Sequence, residues 1–147
     1  MWADDAVCLD FSNGAIETVS LPFVLRLRAP AAQHFFGDAR PDEVRAQATP
    51  DSLSPMGAPL EAVFFLERDS EMSSPPVVLP VHPGTAFVRV LRQAGCFTLQ
   101  NPERKKLMLE RYLELSATVP FYELRMCADL SRLGEALDCV EACLRVK

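Results

Sequence analysis

Two adjacent carboxylates near the start of the chain are the residues best suited to chemistry. The chain begins Met1-Trp2-Ala3-Asp4-Asp5, and an alternating apolar pattern follows at once. Because successive side chains of a strand point to opposite faces, adjacent acids at its start can take different roles. One would coordinate a hard cation such as Mg²⁺, and the other would accept a hydroxyl proton. Asp4 and Asp5 are therefore the candidate catalytic and metal-binding residues, and the alternative is two solvated acids on a frayed terminus.

The phosphate-binding loop that usually accompanies such a pair is not found in this sequence. None of the six glycines is followed by lysine, and the sequence contains neither G-x-x-x-x-G-K-S/T nor G-x-G-x-x-G. Phosphoryl transfer requires backbone N–H groups and a lysine to neutralise the phosphates that Mg²⁺ bridges. Since no residues precede Met1 here, we expect Asp4 and Asp5 to form one half of a site that another chain completes.

Other catalytic arrangements have less support. The sequence has no G-x-S-x-G and no H-E-x-x-H motif. His34 and His82 are the only histidines, and neither is spaced to serve a serine or cysteine nucleophile, so a surface or packing role is favoured. Cys139 and Cys143 lie one helical turn apart without further ligands at metal-binding spacing, which favours buried reduced thiols.

Composition predicts one soluble domain spanning residues 1–147. Hydrophobic residues make up 49% of the 147 residues and charged ones 24%, values typical of globular proteins. A net charge of −5 disfavours nucleic acid, and Arg104-Lys105-Lys106 is interpreted as a solvated helix face. No apolar run reaches the roughly 18 residues of a membrane span, and the acidic N-terminus is unlike a secretory signal. With five cysteines and no disulfide pattern, we expect a cytoplasmic protein that contacts neither membrane nor nucleic acid.

The first half of the chain has the patterns of strands. Asn13-Gly14 lies between two alternating runs and predicts a hairpin, and Phe23 to Arg28 predicts a third antiparallel strand. The Pro-rich stretch from Gly37 to Pro59 predicts a loop, with a short helical turn at Pro41–Arg45. Ala62–Leu66 is continuously apolar, which predicts the central strand.

The second half has the patterns of helices. A short edge strand is expected at Val77–Leu79, and helical spacing follows from Gly84 to Ala94. Asn101 and Pro102 predict the start of a helix that runs to about Thr118. Phe121–Met126 predicts a strand, and an amphipathic helix capped by Asp129 ends the chain. The fold class expected is α/β, with a mixed, largely antiparallel sheet and helices late in the chain.

This order of elements resembles the HPr serine kinase/phosphatase-like family. The resemblance begins with Ala3-Asp4-Asp5 before a hairpin and continues with the Leu21-Pro22 step into a strand. The apolar strand ending at Glu67, the Pro102-initiated helix, the Val119–Arg125 strand and the terminal helix agree with it. It covers nearly all of this chain, but only the C-terminal half of such a kinase domain.

The resemblance implies a role for the acid pair. In that family the matching acids follow the phosphate loop and serve metal binding and proton transfer, so these roles would fall on Asp4 and Asp5, with Mg and ATP as the implied cofactors. An arginine assists in the family, and Arg26 and Arg28 are the nearest candidates. The phosphate loop itself has no counterpart in this sequence.

Three hypotheses follow. The first is an HPr serine kinase-like protein that retains the acidic side of the site, is inactive alone, and becomes a phosphotransferase only with a P-loop from another chain. The second is a non-catalytic peptide- or protein-binding module on a degenerate kinase-like fold, which the long Pro-rich loops favour. The third is a remnant with little activity and marginal stability. Its exposed sheet edge should pair with a protein partner or with a second copy of the chain, so dimerisation or aggregation is expected.

Overall fold

The chain divides into two compact units, residues 1–60 and residues 61–147, and each is described separately. A computed structural model describes residues 7–12, 14–19, 24–27, 31, 33, 34, 44–47, 57–70, 73–94 and 100–145. Of strands 24–27 and 44–47 the backbone alone is described. The expectation of a single domain stays a prediction.

The first unit begins with the expected hairpin. Strand β1 (Cys8–Asp10) pairs antiparallel with β2 (Glu17–Val19), and β5 (Ala58–Pro59) adds to the other side of β2. Gly14 has φ +75°, a left-handed conformation that glycine adopts without steric cost, which is why the turn forms here. The Asp10 carboxylate accepts the Ser12 N–H at 2.8 Å at the start of the turn. The hairpin prediction is confirmed.

A second pair of strands joins the strand predicted over Phe23 to Arg28 to a segment where a loop was expected. Strand β3 (Val24–Leu27) pairs antiparallel with β4 (Val44–Gln47), and Leu27 lies opposite Val44. The predicted helical turn at Pro41–Arg45 is therefore wrong at Val44 and Arg45. An isolated helical turn makes few hydrogen bonds for the residues that it orders, whereas a ladder satisfies the backbone of two strands together.

The second unit is a three-stranded mixed sheet with helices. The strands β6 (Val63–Asp69), β7 (Val77–Val81) and β8 (Phe121–Cys127) lie in the order β6-β8-β7. Strand β8 pairs parallel with β6 and antiparallel with β7. The helices are α1 (Pro83–Gln93), α2 (Pro102–Thr118) and α3 (Leu133–Arg145). The prediction of an α/β chain with late helices is confirmed, and four of the five described strand pairings are antiparallel.

The predicted central strand lies at an edge of this sheet. Ala62–Leu66 was expected in the centre, but β6 is an outer strand among the described ones and β8 is central. Phe65 is 5% exposed, whereas Leu66 on the opposite face is 51% exposed. An apolar run indicates which faces of a strand are covered, and it does not indicate how many of its edges are paired.

The two faces of the sheet pack against different helices. On one face, Leu124 and Met126 form a core cluster with Ala136 of α3, and all three are at least 92% buried. On the other face the rings of Phe65 and Phe121 stack with their centroids 5.6 Å apart. Full burial of a large apolar side chain contributes about 1.5–3 kcal/mol, so these few residues provide much of the unit's stability.

Candidate functional site

The residues proposed from the sequence lie outside the part of the chain that can be described in atomic detail. Asp4 and Asp5 are among the residues not described, as is Arg28, and of Arg26 only the backbone in β3 is described. Strand β1 begins at Cys8, three residues after Asp5. Elsewhere, no group of three or more His, Cys, Asp or Glu side chains in the described ranges has an arrangement that would hold a metal ion.

The N-terminus of α1 offers no backbone donors to a phosphate. His82 Nδ1 accepts the Gly84 N–H at 3.2 Å, and the His82 carbonyl accepts the N–H groups of Thr85 and Ala86, both at 2.9 Å. Pro83 has no N–H to donate. Anion binding at a helix start depends on free amides, and here all of them are engaged.

The N-terminus of α2 is closed in the same way. Asn101 Oδ1 accepts the N–H groups of Glu103 and Arg104 at 3.0 and 3.1 Å, and the Asn101 carbonyl accepts that of Lys105 at 3.1 Å. The predicted cap is therefore confirmed. Asp129 likewise accepts the Ser131 N–H, but it caps a short 3-10 turn (Leu130–Arg132) that leads into α3.

A group of ionic side chains, here called the charged cluster, lies on the α1 side of the second unit's sheet. It consists of Glu67 on β6, Glu123 and Arg125 on β8, and Arg89 on α1. Glu67, Glu123 and Arg125, together with Arg68 and Asp69, line a cavity of about 430 Å³. Glu67 and Arg125 are opposite each other in the parallel ladder, two residues before β6 and β8 end. Ligands of open α/β sheets bind near the carboxyl ends of parallel strands, so this cavity has the expected location of a site.

Arg89 joins the charged cluster to α1. Its Nη2 donates to Glu67 Oε1 at 2.6 Å and its Nη1 donates to Glu123 Oε2. The guanidinium carbon lies 4.1 Å from the centroid of the Phe65 ring, a cation–π geometry. Arg125 Nε donates to the second oxygen of Glu123 at 2.5 Å. Glu123 and Arg89 are 15% and 21% exposed in their side chains, so much of this network is shielded from water.

The electrostatics of the charged cluster fix the state of Glu123. The hydrogen bond from Arg125 and then the one from Arg89 hold the pKa of the Glu123 carboxyl below its usual value, against the opposing effect of burial. Both of its oxygens accept from guanidinium groups. An ionised carboxylate held in this way is a poor general base and a poor metal ligand, so the charged cluster organises the sheet and not a metal centre.

The sequence did not single out the members of this cluster. Arg89 and Glu123 are 34 residues apart, and their contact depends on the packing of α1 against the sheet. One local signal was available, because Glu123 interrupts an apolar strand, and a charge at a half-buried strand position requires a partner. His82 was expected to be a surface or packing histidine; it is exposed and caps α1.

The cysteine thiols are less buried than expected, and two residues of the basic run are exposed. Cys139 and Cys143 are free and half-buried, and Cys139 Sγ donates to the Pro76 carbonyl at 3.6 Å. Arg104 and Lys106 are exposed on α2.

Within the described residues, none of the helices combines the length and the apolar character that crossing a bilayer requires.

The chain was compared with protein-family models, with curated proteins and with solved structures. None of the three comparisons found a match to the chain.

Proposed function

We propose that the chain is an HPr serine kinase-like protein that supplies the acidic side of a phosphoryl-transfer site. Asp4 and Asp5 would provide a Mg²⁺ ligand and the base that accepts a hydroxyl proton, and ATP would be the phosphoryl donor. The observation that carries the proposal is the position of this pair, three residues before the first strand of the β1–β2 hairpin. That succession of acid pair and hairpin is the chemically specific part of the resemblance.

The proposal includes a P-loop that comes from another chain. The sequence has no such loop, and the amides at the starts of α1 and α2 are engaged by their own caps. Without donors that neutralise its phosphates, a nucleotide would be repelled by a carboxylate pair. Alone, the chain would therefore be inactive.

The partner would join the second unit at the outer edge of β6. None of the strands in the described ranges pairs with this edge, and β6 is seven residues long. Leu66 is 51% exposed on one face of β6, which gives an added strand an apolar neighbour. An unpaired edge of this kind is a template for another strand, from a partner protein or from a second copy.

One observation favours the alternative of a non-catalytic protein-binding module on a degenerate kinase-like fold. The two carboxylates that line the cavity at the charged cluster, Glu67 and Glu123, are both bound to Arg89, which leaves them without catalytic freedom. Under this alternative, partner binding is the whole function. Asp4 and Asp5 would then be dispensable.

The decisive experiment combines the acid pair with a matched control. The open reading frame directly upstream is searched for an in-frame G-x-x-x-x-G-K-S/T, and a chain carrying it is co-purified with this one. Mg-ATP is titrated by calorimetry into the complex and into its Asp4→Asn/Asp5→Asn form. Asp42→Asn/Glu43→Gln, the other adjacent acid pair, is the control.

We expect ATP binding and phosphoryl transfer to fall at least about tenfold in Asp4→Asn/Asp5→Asn and to stay unchanged in the control, as expected for the loss of a metal ligand and a base. Transfer that is equal in all three forms would overturn the proposed roles. Partner binding that survives without any nucleotide binding would favour the binding module.

The edge is tested separately with Leu66→Lys. A charge at this position should weaken association with the partner, because it would lie beside the added strand. Leu113→Lys on α2 is the control, since Leu113 is similarly exposed, at 57%, but lies on a helix and not on β6. Equal association of both variants would exclude β6 as the joining strand.

A further inference from the structure

One surface of α1 has properties that neither the acid pair nor the charged cluster explains. His82, Thr85, Val88 and Arg92 recur at intervals of three, three and four residues, and so follow one side of the helix. Together with Gly84 and Arg89 they line a surface depression of about 550 Å³. We call this surface the α1 stripe.

The α1 stripe presents hydrogen-bond donors. His82 Nδ1 accepts the Gly84 N–H, so the neutral ring carries its proton on Nε2, which is left to donate outward. Arg92 is exposed, and no side chain in the described ranges forms an ion pair with it. The Thr85 side chain is exposed between them. A guanidinium with no carboxylate beside it is available to a carboxylate from outside.

The sign of the charge selects the ligand. Residues 82–93 include two arginines and no acid, in a chain whose net charge is −5. Glu67 and Glu123 neutralise Arg89, so Arg92 carries the free positive charge of the stripe. Val88 is 47% exposed in the middle and provides an apolar contact between the donors.

The length of the α1 stripe selects an extended ligand. The ten helical steps from His82 to Arg92 span about 15 Å, which is more than a single phosphate or carboxylate group can bridge. About five residues of extended peptide cover the same distance. The surface is also rigid, because Ala86 on the opposite side of α1 is fully buried and Arg89 is fixed by the charged cluster.

We propose that the α1 stripe binds a short acidic peptide segment of a partner protein. An apolar side chain of the segment would lie on Val88, with a carboxylate on either side paired with Arg92 and with the His82–Thr85 end. This inference does not depend on the proposed kinase-like function, since it uses neither Asp4 and Asp5 nor a nucleotide.

The test uses two labelled peptides of equal length and the full chain. The acidic peptide is Glu-Asp-Leu-Asp-Glu with blocked ends, and the matched neutral peptide is Gln-Asn-Leu-Asn-Gln. Fluorescence anisotropy measures binding to the unmodified chain, to Arg92→Gln, to Val88→Gln and to Lys106→Gln, an exposed cation on α2 that serves as control. Circular dichroism verifies that each variant is folded.

We expect saturable binding of the acidic peptide, no binding of the neutral one, and at least about fivefold weaker binding in Arg92→Gln, equivalent to about 1 kcal/mol. Val88→Gln should weaken binding less, and Lys106→Gln should leave it unchanged. Equal affinity of Arg92→Gln and Lys106→Gln would overturn the proposal, because the attraction would then be nonspecific. Displacement of the peptide by low millimolar inorganic phosphate at constant ionic strength would also overturn it, because the stripe would then hold a simple anion.

Discussion

Replacing Arg89 by glutamine should destabilise the second unit more than the loss of any ordinary surface ion pair. Arg89 makes three contacts, with Glu67, with Glu123 and with the ring of Phe65. Glutamine keeps part of the aliphatic stem and removes the positive charge. The variant therefore isolates the charge from most of the packing.

The magnitude follows from the exposure of each partner. Glu67 is 57% exposed and can be rehydrated, so its loss contributes less than about 0.5 kcal/mol. Glu123 is 15% exposed and keeps only Arg125, so losing one charged hydrogen bond costs about 1.5–2 kcal/mol. The cation–π contact over Phe65 adds about 0.5–1 kcal/mol. The free energy of unfolding should fall by about 2–3 kcal/mol in total.

Urea denaturation followed by far-ultraviolet circular dichroism measures this change, because α1, α2 and α3 all lie in residues 61–147. Arg145→Gln is the matched control. Arg145 also pairs with a glutamate, Glu141 at 2.8 Å, but the two side chains are 78% and 64% exposed. Its loss should cost less than about 0.5 kcal/mol.

Equal destabilisation by Arg89→Gln and Arg145→Gln would refute the reasoning, because it would mean that shielding from water adds nothing to the Arg89 network. The double variant Arg89→Gln/Glu123→Gln provides an internal check. Glu123 has lost one of its two guanidinium partners in Arg89→Gln, so replacing it as well should make the double variant about 1 kcal/mol more stable than the sum of the single effects predicts.

Three further predictions concern groups of the second unit. Arg125 and Arg89 lower the pKa of Glu123, so the stability that the ionised Glu123 contributes is present above the ordinary carboxyl pKa and is lost as pH falls through the lowered value. In urea titrations below about pH 4.5, acid should therefore destabilise the unmodified chain more steeply than it destabilises Glu123→Gln. The neighbouring Cys143 thiol raises the pKa of Tyr122. In a Tyr112→Phe background, Cys143→Ala should therefore move the ultraviolet titration of Tyr122 to lower pH, and an unmoved titration would contradict this effect of Cys143. Asn101→Ala removes the acceptor of two amides at the start of α2 and should lower the free energy of unfolding by about 1 kcal/mol, whereas a neutral effect would show that water caps the helix equally well.

Local signals in the sequence were sufficient for the helices. Asn101 followed by Pro102 marks a helix start through chemistry that acts within three residues, and the structure has the cap at this position. The hairpin at Gly14 is equally local, since only the six residues between Asp10 and Glu17 separate its two strands. The Val44–Gln47 strand was missed because its hydrogen bonds go to Val24–Leu27, about twenty residues away.

The residues of the candidate site also differ in whether local sequence signals could predict them. Asp4 and Asp5 were proposed from their types and adjacency, and their roles stay a prediction because they lie outside the described residues. Arg89 and Glu123 could not be paired from sequence, because their contact requires the packing of α1 on β8. The prediction of β6 as the central strand was wrong because strand order also depends on contacts between distant residues. A strand with apolar residues on both faces can still lie at an edge of the sheet.

The charged cluster also affects how β6 could receive a partner. Arg89 ties Glu67 of the edge strand to Glu123 of the central strand, so the outer strand is ordered from one face before anything pairs with its edge. A strand that is already ordered loses less conformational entropy when another chain adds to it. Arg89→Gln should therefore weaken association at β6 even though Arg89 lies on α1 and not on the edge. If Arg89→Gln unfolds more easily but binds the partner as well as the unmodified chain does, then β6 is not the strand that the partner joins.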